Sequence, residues 1–214
     1  MIIPSINRAT FEEAAADIAK AEEFVPAGGF LHVDVADGHF TSWRSWGNPA
    51  EFQGLDVPLR AEVHLMVDDP EAMAVSWMEV GAKRLVVPVQ KIKDIDFFKR
   101  ECAKYGVELM LSFDLTVPIE GALPYMEDFQ SFHVLAVHPG RSGQGFEEET
   151  LGYIKFLREA GGGVKIEVDG GVDVETGAKA VEAGADILVS GDYIFNSEDP
   201  AGAFKTLNSL IHVS

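Results

Sequence analysis

The chain has 214 residues, 47% of them hydrophobic and 24% charged, a balance that excludes an intrinsically disordered chain and leaves apolar surface for a substantial core. A formal charge of −18 argues against nucleic-acid and anionic-membrane partners, because an acidic surface repels phosphate backbones and headgroups. The single cysteine, Cys102, permits no internal disulfide, and neither a basic, apolar leader nor a membrane-length apolar window is visible, so a cytoplasmic, soluble protein is expected.

In chain order, residues 2–6 read as a buried strand, and Thr10 before Phe11-Glu12-Glu13 reads as the cap of a helix ending at Phe24. Strands are expected over 30–34 and 59–66, then a helix over 70–80 with Asp69 before Pro70 at its first position. A strand over 84–89, a helix over 94–105, and strands over 107–113 and 132–137 follow. The last part alternates helix 147–160, strand 164–169, helix 174–183 after Asp173, strand 187–190 and helix 199–211. Glycines at Ala27-Gly28-Gly29, Gly81-Ala82 and Gly184-Ala185 can close a helix before the next strand, and Gly161-Gly162-Gly163 reads as a flexible connection. Eight strands alternating with helices call for parallel pairing with helical crossovers. The expected fold is α/β, a single (β/α)₈ TIM barrel over residues 1–214, with a doubly wound sheet as the alternative.

Four potential metal ligands, His32, Asp34, His64 and Asp169, sit at the carboxyl ends of apolar runs. Side chains repeat every two residues along a strand, so His32 and Asp34 project from one face. In a (β/α)₈ barrel the ends of strands two, three and seven converge, which would bring all four to one place. Two imidazoles with two carboxylates suit one borderline divalent cation, Zn, Mn, Fe or Co, better than Mg or Ca. Taken singly, His64 reads as a satisfied core histidine and each aspartate as a cap or ion-pair partner; together the four favour a site. His39 and His138 fall in loops. His133, inside a strand, and His212, in the tail, are left outside the site.

Anion binding needs exposed backbone N–H groups at a helix start or glycine-rich turn. Three segments qualify: Gly140-Arg141-Ser142-Gly143-Gln144-Gly145, Gly170-Gly171 and Gly191-Asp192. Barrels often hold phosphate after strands seven and eight, although each glycine pair also reads as a tight turn.

The chain resembles the ribulose-phosphate 3-epimerase family. The resemblance runs through Pro4-Ser5-Ile6, His32-Val33-Asp34-Val35-Ala36-Asp37-Gly38, Val63-His64-Leu65-Met66, Val137-His138-Pro139-Gly140, Glu167-Val168-Asp169-Gly170-Gly171-Val172 and Glu182-Ala183-Gly184-Ala185, in the family's order. It implies a TIM barrel in which His32, Asp34, His64 and Asp169 bind one catalytic divalent cation while Asp34 and Asp169 act as the acid/base pair. It further implies a small-molecule sugar-phosphate substrate in the pentose phosphate pathway, a pocket lined by Ser5, His64 and Met66, and a phosphate held near Gly140, Arg141, Ser142, Gly143, Gly170, Gly171, Gly191 and Asp192. Homo-oligomerisation is compatible with this reading. Some residues depart from the family pattern. Asp192 stands where a serine is usual, Arg141-Ser142 replaces Phe-Gly in the glycine loop, Ala36 and Leu135 replace methionines, and Pro88 and Gln90 replace a His and a Glu. A lyase or decarboxylase of the orotidine-phosphate group would need a lysine that Asp34-Val35-Ala36-Asp37 lacks, and a sugar-binding barrel without turnover is the noncatalytic alternative.

Overall fold

The computed structural model describes residues 1–161 and 163–211. Gly162 of the expected glycine connection and the tail residue His212 lie outside the described residues. Eight strands pair in sequence order into a closed parallel barrel, β1 (Ile2–Ile6), β2 (Phe30–Ala36), β3 (Arg60–Met66), β4 (Arg84–Pro88), β5 (Glu108–Phe113), β6 (Ser131–Leu135), β7 (Lys165–Asp169) and β8 (Ile187–Ser190). Closure of the strand order removes the doubly wound alternative. Among the described residues no helix is long and apolar enough to cross a membrane.

The helices are α1 (Phe11–Phe24), α2 (Pro49–Gly54), α3 (Pro70–Glu79), α4 (Ile95–Tyr105), α5 (Thr150–Ala160), α6 (Val174–Ala183), α7 (Asp192–Phe195) and α8 (Pro200–Ile211). Thr10 caps α1 by accepting from the Glu13 amide, and Asp173 with Thr176 forms a reciprocal capping box on α6. Asp69 precedes Pro70 of α3 as expected but makes no side-chain cap bond. Two short helices, α2 and α7, and 3₁₀ turns at Val89–Lys91 and Ile119–Tyr125 are additions to the expected pattern. They are too brief to carry a helical period, so local apolar spacing does not reveal them. Helix α5 starts three residues later than expected, the carbonyls of Glu147, Glu148 and Glu149 accepting in tighter turns from the amides of Thr150, Leu151 and Gly152 three residues on.

The chain divides into two compact units, residues 5–110 and residues 1–4 with 111 onward. In the first, strand alternation sorts the side chains cleanly. Leu31, Val33 and Val35 of β2 and Ala61, Val63 and Leu65 of β3 are buried on one face, while His32, Asp34, Glu62 and His64 are buried on the other. The β2–β3 register sets His32 opposite Glu62 and Asp34 opposite His64. Outside these strands, Phe52 of α2 packs on Trp77 of α3 with ring centroids 5.7 Å apart. In the second unit, Phe132 and Val134 of β6 and Ile166 and Val168 of β7 form the apolar side, with Phe132 against Phe113. His133 and Glu167 are register partners, as are Leu135 and Asp169, so the polar positions of β6 and β7 again share a face.

Candidate active site

In residues 5–110 the site grows from three strand ends. Asp34 is buried and uses its two oxygens separately. Its Oδ2 accepts from Ser5 Oγ at 2.9 Å, while Oδ1 lies 3.2 Å from His64 Nδ1 and 3.4 Å from His32 Nε2. Burial works against the charged carboxylate, but His32 and then His64 outweigh it and hold Asp34 well below the usual carboxylate range. Met66, two residues beyond His64, is buried on the same face of β3.

The far nitrogen of His32 is also fixed. His32 Nδ1 faces Glu62 Oε1 at 2.6 Å and, because an ionised carboxylate only accepts, donates to it, while Nε2 faces Asp34 Oδ1 at 3.4 Å. Glu62 is bound in turn by Arg84 Nη1, and Arg84 Nε donates to Glu108 Oε2 at 2.9 Å. The guanidinium stacks 4.5 Å from the Phe30 ring centroid. Burial opposes the charge on Glu62, yet His32 and Arg84 bring its pKa down to about 2. His32, Asp34, Glu62 and His64 thus form a buried His/Asp/Glu cluster whose donors fit a divalent cation. The ring nitrogens and a carboxylate would ligate, and Glu62 would orient His32 from behind. Glu62 was not singled out in the sequence, although its place two residues before His64 puts it on the ligand face.

Asp37 orders the neighbouring loops. Its Oδ1 accepts from the amides of His39 at 2.7 Å and Phe40 at 3.0 Å, and its Oδ2 accepts from the Asp68 amide at 2.8 Å. The His39 residue itself is exposed. These bonds tie the segment after β2 to the segment after β3 and hold the Asp37 carboxyl below its ordinary range despite some burial.

In the second unit Asp169 ends β7, buried, with His133 Nε2 at 3.7 Å from its Oδ2. His133, which the sequence reading left outside the site, is held through Nδ1 by Ser112 Oγ at 2.8 Å. The glycine loop after β6 is laced by Gln144, whose amide donates to the carbonyls of His138 and Arg141 at 2.8 Å each. Arg141 is exposed and Ser142 half-buried. Ser142 Oγ donates to Asp192 Oδ1 at 3.0 Å, and a Cβ on Gly143 would stand 2.5 Å from Asp192 Oδ2. The carboxylate at the strand-eight turn therefore lies directly against the glycine loop.

Gly170 and Gly171 adopt φ of +101° and +64°. A side chain on Gly171 would strike the Phe146 backbone, and one on Gly170 would meet Val137 at 2.6 Å. Both are glycine because the loop after β6 lies against them in a left-handed turn. The Gly191 φ of −103° imposes no such requirement.

A closed parallel (β/α)₈ barrel with buried imidazoles and carboxylates on its strands is the arrangement of barrel enzymes, a class whose active sites lie at the carboxyl face of the strands. Residues 1–195 match the family described as the ribulose-phosphate 3 epimerase family, and the chain belongs to that family, one of isomerases. It is 32% identical over 214 residues to the ribulose-phosphate 3-epimerase of Mycobacterium tuberculosis, covering 97% of this chain and 91% of that one. It is 33% identical over 209 residues to the ribulose-phosphate 3-epimerase of Methanocaldococcus jannaschii, covering 95% and 87%. Among solved structures, 3-hexulose-6-phosphate synthase from Salmonella typhimurium superposes with a TM-score of 0.72 at 14% identity, covering 99% and 98% of the two chains. Orotidine 5′-phosphate decarboxylase from Pyrococcus horikoshii gives 0.68 at 16%, covering all of both. These two likenesses concern the fold alone.

Proposed function

We propose that the chain is a metal-dependent ketose-phosphate 3-epimerase interconverting D-ribulose 5-phosphate and D-xylulose 5-phosphate, with His32, Asp34, His64 and Asp169 holding one divalent cation and Asp34 and Asp169 as the acid/base pair. The observation that carries the reading is the shared Asp34 carboxylate, gripped by Ser5 and flanked by two oriented imidazole nitrogens. A proton beside a ketose carbonyl is weakly acidic, so its removal requires charge stabilisation on the adjoining oxygens. The bound cation supplies that stabilisation electrostatically.

The chain's own residues do the rest. Asp34, kept ionised by His32 and His64, is poised to accept the C3 proton, and Ser5 fixes the orientation of the accepting carboxylate. Asp169, arriving from a different strand, returns a proton to the opposite face of the enediolate and inverts C3; in the reverse direction the two exchange roles. The asymmetric environments of two carboxylates are what separates acid from base. The reading treats the 214 residues as one domain acting in the cytoplasm on a small sugar phosphate.

Its test is incubation of cation-loaded protein with D-ribulose 5-phosphate in D₂O. We expect deuterium at C3 together with D-xylulose 5-phosphate; neither exchange nor product would end the proposal.

A second reading, an epimerase of another ketose or hexulose phosphate or of an unphosphorylated ketose, is favoured by the Ser142–Asp192 contact. Asp192 occupies the hydroxyl of Ser142 and places a negative charge beside the glycine loop, where the family resemblance implies a phosphate. Asp192→Ser is expected to lower KM for D-ribulose 5-phosphate about tenfold, the scale of one hydrogen bond to a charged group, with kcat unchanged. An unchanged KM, with a free ketose turned over as well as its phosphate, would shift the balance to the second reading.

A further inference from the structure

We propose that Trp43 is a specificity-determining residue, a fixed aromatic wall at the mouth of the site against which the carbon chain of the ketose stacks; the inference rests on the ketose-binding reading above and lies wholly within residues 5–110. The segment after β2 folds back over the strand that carries Asp34. Asp37 and Arg44 form an antiparallel bridge, so residues 38–43 are the turn of a short excursion. Ser45 then returns to the end of β2. Its amide donates to the Ala36 carbonyl at 3.1 Å, and its Oγ accepts from the Ala36 amide at 2.8 Å and donates to the Asp34 carbonyl at 2.6 Å. Thr41, buried, fixes the Trp43 backbone on both sides, its Oγ1 accepting from the Trp43 amide at 3.0 Å and donating to the Trp43 carbonyl at 3.1 Å.

The side chain is held as firmly. Trp43 Nε1 donates to Asn7 Oδ1 at 2.6 Å, and the Trp46 amide donates to the Arg8 carbonyl at 2.6 Å, so the excursion is tied to the segment that follows β1. Asn7 stands two residues beyond Ser5, the residue that grips Asp34, and β1 runs parallel to β2 with Ser5 opposite His32. The indole therefore bridges the carboxyl ends of β1 and β2 just beyond the contact of Ser5 with Asp34, on the face where barrel enzymes receive substrate. Trp46 and Trp77 are buried rings, whereas Trp43 is half-buried. With its N–H given to Asn7, what the indole offers there is apolar ring. An open-chain sugar presents C–H groups as well as hydroxyls, and a flat apolar surface takes the former. Because the ring is already ordered, contact costs little further conformational entropy.

The test joins a binding signal to kinetics in the intact, cation-loaded protein. Labelling with 5-fluorotryptophan marks the three tryptophans for ¹⁹F NMR, and Trp43→Phe identifies one resonance by its loss. Saturating D-ribulose 5-phosphate is expected to shift the Trp43 resonance while that of Trp77 stays in place. Trp43→Ala should raise KM about tenfold with a much smaller change in kcat, and Trp43→Phe, which restores an aromatic face without the bond to Asn7, should recover most of that loss. The parent resonance decides the contact even if Trp43→Ala does not fold. A Trp43 resonance that stays in place while the sugar is turned over, an unchanged KM in Trp43→Ala, or a Trp43→Phe variant as impaired as Trp43→Ala would overturn the inference and leave the epimerase reading standing. A shift without turnover would uphold the contact and remove the epimerase reading, and neither shift nor turnover would overturn both.

Discussion

Asp34→Asn and Asp169→Asn are each expected to reduce epimerisation about 10²–10⁴-fold, the range for loss of a positioned general acid or base. The two lesions should differ in kind. If each carboxylate serves one face of C3, then each asparagine variant retains slow C3 exchange with solvent deuterium for one epimer only, and the two variants retain it for different epimers. A single-base enzyme would lose exchange of both epimers in one variant and keep both in the other. Because the same side chains are proposed ligands, cation content is measured alongside, and turnover is compared per bound ion. Asp34→Asn also weakens the grip on the imidazoles. The charge that orients His32 and His64 is removed while Ser5 keeps a partner. Substantial turnover in either fully loaded variant would remove the acid/base assignment.

Arg84→Met is expected to lower the unfolding free energy by about 3–5 kcal/mol, the scale for stranding one half of a buried ion pair. Arg84 is buried between Glu62 and Glu108 and covers the Phe30 ring. Its removal leaves the fully buried Glu62 with its charge opposed by burial and supported chiefly through His32. The same network predicts an acid limb of stability. The pKa of Glu62 is lowered on folding, from 4.5 to about 2, so its contribution is complete above about 4.5 and is lost as pH falls towards 2. Asp34 shifts in the same direction and adds to the loss. Urea titrations of the parent between these limits should show stability falling with pH, and Glu62→Gln should flatten that slope. A slope unchanged in Glu62→Gln, or an Arg84→Met variant as stable as its parent, would show that the chain of charges carries no such weight.

Strand-end ligands were legible because the two-residue period of a strand is local. Asp34 follows His32 by two, and Glu62 precedes His64 by two, so each pair shares a face whatever the rest of the fold does. The alternation of eight strands with helices likewise argued for the barrel, since parallel neighbours need crossovers. What stayed hidden depended on register. His133 sits in an apolar run, and a lone strand histidine looks like any core histidine. Only the pairing that sets Leu135 opposite Asp169 and His133 opposite Glu167 brings its ring to Asp169. Arg84 carries no signal within its own segment, and only the pairing of β3 with β4 places it opposite Glu62.

The amino-acid sequence by itself determined the alternation of eight strands with six longer helices, the family and the residues His32, Asp34, His64 and Asp169 as candidates, because each of these rests on short-range periodicity or on motifs read along the chain. Tertiary structure alone decided which partner each polar side chain meets. It set Glu62 behind His32, Ser112 behind His133, and Asp192 against Ser142 fifty positions away. Those meetings follow from strand register and loop packing, which depend on burying the apolar faces of distant segments together and leave no mark in local spacing.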